Sequence, residues 1–260
     1  MPPVCPPFPF TNEHIFYNIV NRESMLIESC DRKDILAQTG IFRRLQMRDI
    51  IIQKILDEKV IAIVRGVYEE DCVNLARALH EGGVNLLEVT FDQRSHEERL
   101  RTVKTIKMLN ETLGDTMAFG AGTVTTVEMV EMAKGAGAKF IISPDTCEEV
   151  IRATREMEMV SIPGALTPTE IANAHRYGAD FVKVFPVGNM GVSYIKNVVA
   201  PLSHIRLLAV GSVDGNNVAD YLAAGAVGAG VSSCLFKKEW IKAGEGDKIT
   251  EAAKTFVAKL

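Results

Sequence analysis

The 260-residue chain lacks any apolar run of the roughly 18 residues needed to cross a bilayer. It also lacks a charged opening followed by an apolar stretch and a small-residue cleavage site, so no secretory signal is expected. Basic residues are not in excess: 29 Lys and Arg stand against 33 Asp and Glu, a formal net charge of −4, which excludes the composition of a non-specific nucleic-acid binder. The five cysteines (Cys5, Cys30, Cys72, Cys147 and Cys234) are scattered, odd in number and free of C-x-x-C spacing. A disulfide framework or a zinc site is not expected from them, and a reducing cytoplasm is. The histidines (His14, His80, His96, His175 and His204) form no H-x-x-x-H ligand spacing, so no metal is expected. What is present is ordinary globular material: 47% hydrophobic and 24% charged residues, enough apolar surface for a sizeable core.

The chain changes character near Met47. The opening MPPVCPPFPF holds five of the ten prolines, and residues 11–46 show no clean strand or helix plan. From Met47, MRDIIIQKILDEKV places Ile51, Ile52, Ile55 and Leu56 on one helical stripe. Residues 1–46 are therefore expected to be a poorly ordered extension, with Met47 as the natural start. A partner-binding arm is the alternative for the same segment.

Residues 47–260 repeat one unit. Eight apolar runs recur: VIAIV (60–64), NLLEVT (85–90), MAFGAG (117–122), KFIIS (139–143), MVSIP (159–163), FVKVF (181–185), IRLLAV (205–210) and GAVGAGVS (225–232). Amphipathic stretches separate them, many ending in glycine, as at Gly82, Gly135, Gly178 and Gly225. Strand alternating with helix implies a parallel sheet, and eight such units in about 200 residues match a single-domain (β/α)8 TIM barrel with a short helix before the first strand. Near-continuous apolar strands agree with a sheet covered on both faces. An open doubly wound sheet is the runner-up, but no G-x-G-x-x-G follows the first strand and there is no P-loop.

Two charges violate the apolar pattern: Lys183 inside FVKVF and Glu88 inside NLLEVT. Burying an unpaired charge costs several kcal/mol, so an ordinary core position does not carry one. A buried ion pair or a snorkelling side chain is the structural explanation. The chemical explanation is more specific. An apolar barrel interior disfavours the ammonium, lowers the lysine pKa and frees a nucleophile for a carbonyl; a carboxylate in the same cavity moves protons. The late loops GSVDGNN (211–217) and GVSS (230–233) offer backbone N–H groups and hydroxyls where barrels commonly hold phosphate, after the seventh and eighth strands.

The motifs LLEVT, GAGTV, ISP, IPG and FVKVFP, in that order and with these late loops, resemble the class I 2-keto-3-deoxy-6-phosphogluconate aldolases, a group that includes 4-hydroxy-2-oxoglutarate aldolase and the 6-phosphogalactonate enzyme. The resemblance covers roughly 47–260. It implies Lys183 as the Schiff-base lysine and Glu88 as general acid/base. It implies Thr123 as a hydrogen-bonding partner of the pyruvate moiety, with Pro144, Pro163 and Phe185 around it. It also implies Gly211, Ser212, Ser232 and Ser233 as the phosphate cradle, a homotrimer, a phosphorylated keto acid as substrate and no metal cofactor.

Two residues depart from the pattern. Many relatives carry an arginine for the substrate carboxylate four residues after the glutamate; this chain has Asp92. A carboxylate cannot bind a carboxylate, so Arg65 at the end of the first strand is the expected replacement, with Arg94 second. The residue before Gly211 is Val210 rather than the threonine of gluconate-type members, which loosens the check on C4 configuration and leaves the galactonate epimer and 4-hydroxy-2-oxoglutarate open. A phosphosugar-binding barrel without a Schiff base and a binding protein that has lost turnover are the other classes. The first gives Lys183 no task, and retention of both Lys183 and Glu88 argues against the second.

Overall fold

Strand alternation decides which side chains the sheet turns inward, because successive residues face opposite sides. The computed structural model describes residues 47–260. The expectation of a poorly ordered extension over 1–46, and its alternative as a partner-binding arm, lie outside the described residues. Nine parallel strands follow one another: β1 (Val60–Val64), β2 (Leu86–Thr90), β3 (Ala118–Gly122), β4 (Phe140–Ile142), β5 (Val160–Ile162), β6 (Gly164–Ala165), β7 (Val182–Val184), β8 (Leu207–Val210) and β9 (Gly228–Val231). Their order in the sheet is β5-β4-β3-β2-β1-β9-β8-β7-β6. First and last strands meet, β1 pairing with both β2 and β9, so this is a barrel rather than an open sheet with a switch point.

The expected eight runs become nine strands for a local reason. Pro163 follows β5 and has no N–H, so it cannot donate to a ladder. The chain turns there from one neighbour to the other: β5 pairs with β4, while the two-residue β6 pairs with β7. β5 and β6 are one bent staves' worth of chain, and the barrel closes across the bend. A side chain at Gly164 has no room, since a Cβ there would stand 2.4 Å from the Pro144 carbonyl oxygen.

Helices cover the outside and, through the first of them, one end. They are α1 (residues 47–58), α2 (Glu69–Glu81), α3 (His96–Leu113), α4 (Val127–Gly135), α5 (Glu148–Glu156), α6 (Pro168–Tyr177), α7 (Val192–Val199), α8 (Val218–Ala223), α9 (Lys238–Lys242) and α10 (Gly246–Val257). Their limits are written locally. Ser95 and Thr126 cap α3 and α4 by accepting from the amides of Glu98 and Met129. At α6, Thr167 and Glu170 form a reciprocal capping box with Pro168 at the first helical position, and Gly178 closes the helix at φ 107°. The short α9 carries no buried residue and has no counterpart among the expected helices.

Two apolar clusters result. Outward-facing strand residues such as Val60, Leu87, Phe119, Val182 and Leu207 pack against the helices. Inward-facing ones such as Ile61, Leu86, Phe140, Val160, Phe181 and Leu208 fill the barrel and meet Ile51 and Ile55 of α1. Helix α1 therefore plugs the end of the barrel where the strands begin. Burying each isoleucine stabilises by about 1.5–3 kcal/mol. Large and small residues interdigitate inside: a Cβ on Gly120 would stand 2.2 Å from the Phe140 ring.

Candidate functional site

Inward parity carries the chemistry. In β2 it runs Leu86, Glu88, Thr90; at β7 it runs from Phe181, just before the strand, to Lys183, whose neighbours Val182 and Val184 pack outward. The two charged residues thus occupy interior positions, one inward layer past Leu86 and Phe181, at the middle residues of β2 and β7. Glu88 is 1% exposed and Lys183 is 8% exposed. Glu88 Oε2 has no hydrogen-bond partner. Its other oxygen lies against Gly122, where a Cβ would stand 1.5 Å from Oε1. The bare backbone of Gly122 is therefore the condition for Glu88 to lie where it does. The second glycine of GAGTV is a packing requirement that the string alone does not reveal.

Electrostatics push the pair toward neutrality. Burial raises the Glu88 carboxyl above the usual carboxylate range, and the positive charges of Lys183 and Arg65 oppose this in part. Burial lowers the Lys183 ammonium below the ordinary lysine value; the Glu88 charge resists and the nearby Arg65 assists. A lysine so placed holds a larger free-amine fraction near neutral pH than a surface lysine does. Its Nζ lies 4.7 Å from the centre of the Phe185 ring, which is 38% exposed at the barrel mouth.

Around this pair the strand ends form a rim. Arg65, just past β1, donates from Nη2 to Thr123 Oγ1 at 3.1 Å. Thr123 itself sits at φ 57°, a strained conformation for a β-branched residue. Its carbonyl is held from the other side by Gln93 Nε2 at 2.7 Å. Gln93 lies unremarked between Asp92 and Arg94 in the sequence, and only the fold brings it to Thr123. Asp92 and Arg94 pair with each other: Arg94 Nε contacts both carboxylate oxygens at 2.9 Å and Nη2 reaches Oδ2 at 2.6 Å. That pairing lowers the Asp92 carboxyl to about 2. Arg94 is thereby occupied, whereas among the described residues no carboxylate is in ion-pair contact with Arg65. Of the two candidate arginines, Arg65 is the one joined to Thr123 and coupled electrostatically to Lys183 and Glu88.

Pro144 and Pro163 follow β4 and β5, and Gly164 brings them together as described above. Gly211 (φ 99°) and Ser212 (φ 58°) are consecutive left-handed residues past β8. The loop is braced by Gly188 N–H donating to the Gly211 carbonyl at 3.0 Å and by Asn217 Nδ2 donating to the Ser212 carbonyl at 3.0 Å. Ser232 and Ser233 follow β9, the neighbour of β8. All the expected site residues therefore stand at one end of the barrel. Two hollows lie elsewhere: one of about 390 Å³ bounded by Asp214, Cys234 and Phe256, and one of about 160 Å³ bounded by Ile51, Lys139 and Met159. Neither is lined by Lys183 or Glu88. Among the described residues no group of three or more His, Cys, Asp or Glu is arranged to hold a metal ion, and no helix is long and apolar enough to cross a membrane.

Comparison with known proteins gives a consistent picture. The profile of the family described as KDPG and KHG aldolase matches residues 51–252. The chain is 34% identical over 193 residues to the 2-dehydro-3-deoxy-phosphogluconate aldolase of Treponema pallidum, covering 74% of this chain and 89% of that protein. It is 33% identical to the 2-dehydro-3-deoxy-6-phosphogalactonate aldolase of Escherichia coli, covering 68% of this chain and 84% of that one. In structure it resembles a KDPG aldolase of Legionella pneumophila with pyruvate captured at low pH as a covalent carbinolamine intermediate, with a TM-score of 0.68 and 29% identity over 76% of this chain and 93% of that one.

Proposed function

Since the chain belongs to the KDPG and KHG aldolase family, whose named members are carbon–carbon lyases, we propose that it cleaves 2-keto-3-deoxy-6-phosphogluconate through a Schiff base on Lys183. The observation that carries this is the buried Lys183 and Glu88 pair, with the lysine lowered and the carboxyl raised, on the inward face of a parallel barrel. The carbinolamine held by the Legionella relative is the adduct that precedes such an imine, and supports the same chemistry here.

The Lys183 amine attacks the C2 ketone, and loss of water leaves an iminium. Glu88, through a water, takes the proton of the C4 hydroxyl. The C3–C4 electron pair flows into the iminium, so glyceraldehyde 3-phosphate departs and a pyruvate enamine remains. Glu88 returns a proton to C3; water hydrolyses the iminium, releasing pyruvate and restoring the amine. A carboxyl held above its usual range suits this two-way transfer near neutral pH. Arg65 and Thr123 hold the substrate carboxylate and the keto end, with Pro144, Pro163 and Phe185 walling the pocket. The Gly211–Ser212 turn, with Ser232 and Ser233, takes the phosphate.

A second reading rests on Val210. It is apolar, buried, and offers no hydroxyl contact to the sugar chain. The galactonate epimer and the shorter 4-hydroxy-2-oxoglutarate are the substrates it favours. Pyruvate release from the three keto acids, compared as kcat/KM, tests both readings. A gluconate preference supports the first and a galactonate preference the second; release from none of them overturns the aldolase function. Assembly as a homotrimer in a reducing cytoplasm belongs to the same reading, as does the division into residues 1–46 and a self-sufficient barrel of residues 47–260. Sedimentation, and activity of a chain shortened to 47–260, check these points.

A further inference from the structure

The barrel is weakest where it closes. β5 and β7 share no continuous ladder, and β6 supplies only two paired positions, Gly164 with Lys183 and Ala165 with Val184. Below them the seam depends on a few isolated bonds: Asp180 N–H and Phe181 N–H to the Ser161 carbonyl at 3.0 and 3.3 Å, and Lys183 N–H to the Pro163 carbonyl at 2.9 Å. In a parallel strand the N–H and C=O of one residue face the same neighbour. Ser161 N–H therefore also faces the seam. It finds a side chain there rather than a backbone carbonyl: it donates to Asp180 Oδ2 at 3.0 Å.

Asp180 stands three residues before Lys183 on the same chain segment, and its side chain is 6% exposed. Its other oxygen accepts from Arg155 of α5 at 2.8 Å and from Arg48 of the plug helix α1, whose Nε also reaches Oδ2 at 3.4 Å. The chemistry described above uses none of these groups. One carboxylate thus joins the incoming end of the lysine strand to β5, to an outer helix and to the plug.

We infer that Asp180 is a positioning residue for Lys183, its carboxylate replacing the missing acceptor at the β5–β7 seam and so fixing the strand that carries the nucleophile. This rests on the Schiff-base role proposed for Lys183. The two duties of the carboxylate, accepting from Ser161 and pairing with Arg155, fall on different oxygens. Arg155→Met removes its ion pair on Oδ1 and leaves Oδ2 as the acceptor for Ser161 N–H. Asp180→Glu keeps the charge for Arg48 and Arg155 but carries it one methylene beyond the Ser161 amide.

The experiment measures kcat and KM for the cleaved keto acid, the rate of borohydride trapping with saturating pyruvate, and Tm, for the full-length wild type and both variants. Arg155→Met is expected to lower Tm while kcat and trapping stay within about threefold. Asp180→Glu is expected to keep more of the Tm yet lose about tenfold to hundredfold in kcat and trapping rate, with KM within about threefold, because a small displacement of a reacting group is costly. Rates are referred to folded protein, and the contrast between the variants cannot come from unfolding, since the less stable one is the faster. Asp180→Glu at wild-type kcat, or Arg155→Met as slow as Asp180→Glu, overturns the inference. A wild-type Lys183 that pyruvate and borohydride leave unmodified overturns the Schiff-base reading, and this inference with it. Trapping of the wild type together with an unaffected Asp180→Glu overturns this inference alone.

Discussion

The two ends of the barrel are built from the same strands and treat charge in opposite ways. At the end where the strands begin, α1 closes the opening with Ile51 and Ile55, and the buried charge, Asp180, is met by two arginines and an amide. At the end where the strands finish, Glu88 is buried with an unpartnered oxygen beside Lys183. Left-handed backbone does not separate the two ends, since Lys59 and Glu158 before β1 and β5 adopt it as do Thr123 and Ser212 past β3 and β8. What separates them is hydrogen-bond satisfaction: the buried carboxylate at the first end is fully met and adds to stability, and the one at the second end keeps an open acceptor.

The strongest way to break this contrast is at Lys183. Lys183→Met is expected to cut kcat by at least on the order of 10³-fold and to move the Glu88 carboxyl further up, since the positive charge that opposes its protonation is gone. Kinetics and an infrared titration of the carboxyl check both; a Glu88 titration that moves down would contradict the coupling of the pair. Gly122→Ala forces the Glu88 carboxyl aside, because the new Cβ would lie 1.5 Å from Oε1. A loss of about 10²-fold in kcat is expected in protein that still folds by circular dichroism. At the plugged end, Ile55→Ala is expected to cost about 2–5 kcal/mol of stability and to leave kcat per folded molecule within about twofold. A large loss of kcat there would show that the two ends are not separable in this way.

The smallest expected effect sharpens the electrostatics of the rim. Imine formation needs the free amine, so trapping by pyruvate and borohydride should rise with pH through the lysine titration, at a midpoint below the ordinary value of 10.5. Arg65 is a like charge that disfavours the ammonium and lowers that midpoint. Arg65→Met should therefore move the midpoint up, and also raise KM for the keto acid by about tenfold through the lost charge-assisted hydrogen bond. A midpoint that moves down, or a KM that does not change, would remove Arg65 from both roles.

Much of this was legible in the sequence because strand burial is a strong filter. A charge inside VKV or LLEVT has few structural excuses, so Lys183 and Glu88 stood out as interior charges, as they are in the fold, and the eight apolar runs gave the barrel. What depended on contacts between distant strands was hidden. Pro163 lay in the sequence as the end of a strand, but its splitting of that strand appears only once β4 and β7 are both in place. Gln93 carries no signal of its own in the sequence; only the fold brings it to Thr123. Asp180 carries none either, since nothing local announces that Ser161 N–H lacks a backbone acceptor. Asp92 was visible as a departure, yet its bidentate hold on Arg94, which leaves Arg65 as the available cation, needed coordinates.

The most direct test of the central claim is covalent. The protein is incubated with pyruvate and sodium borohydride, digested, and the modified peptide mapped by mass spectrometry. The account predicts a reduced pyruvate adduct on Lys183. A folded protein whose Lys183 remains unmodified, or whose adduct lies on another lysine, would contradict it.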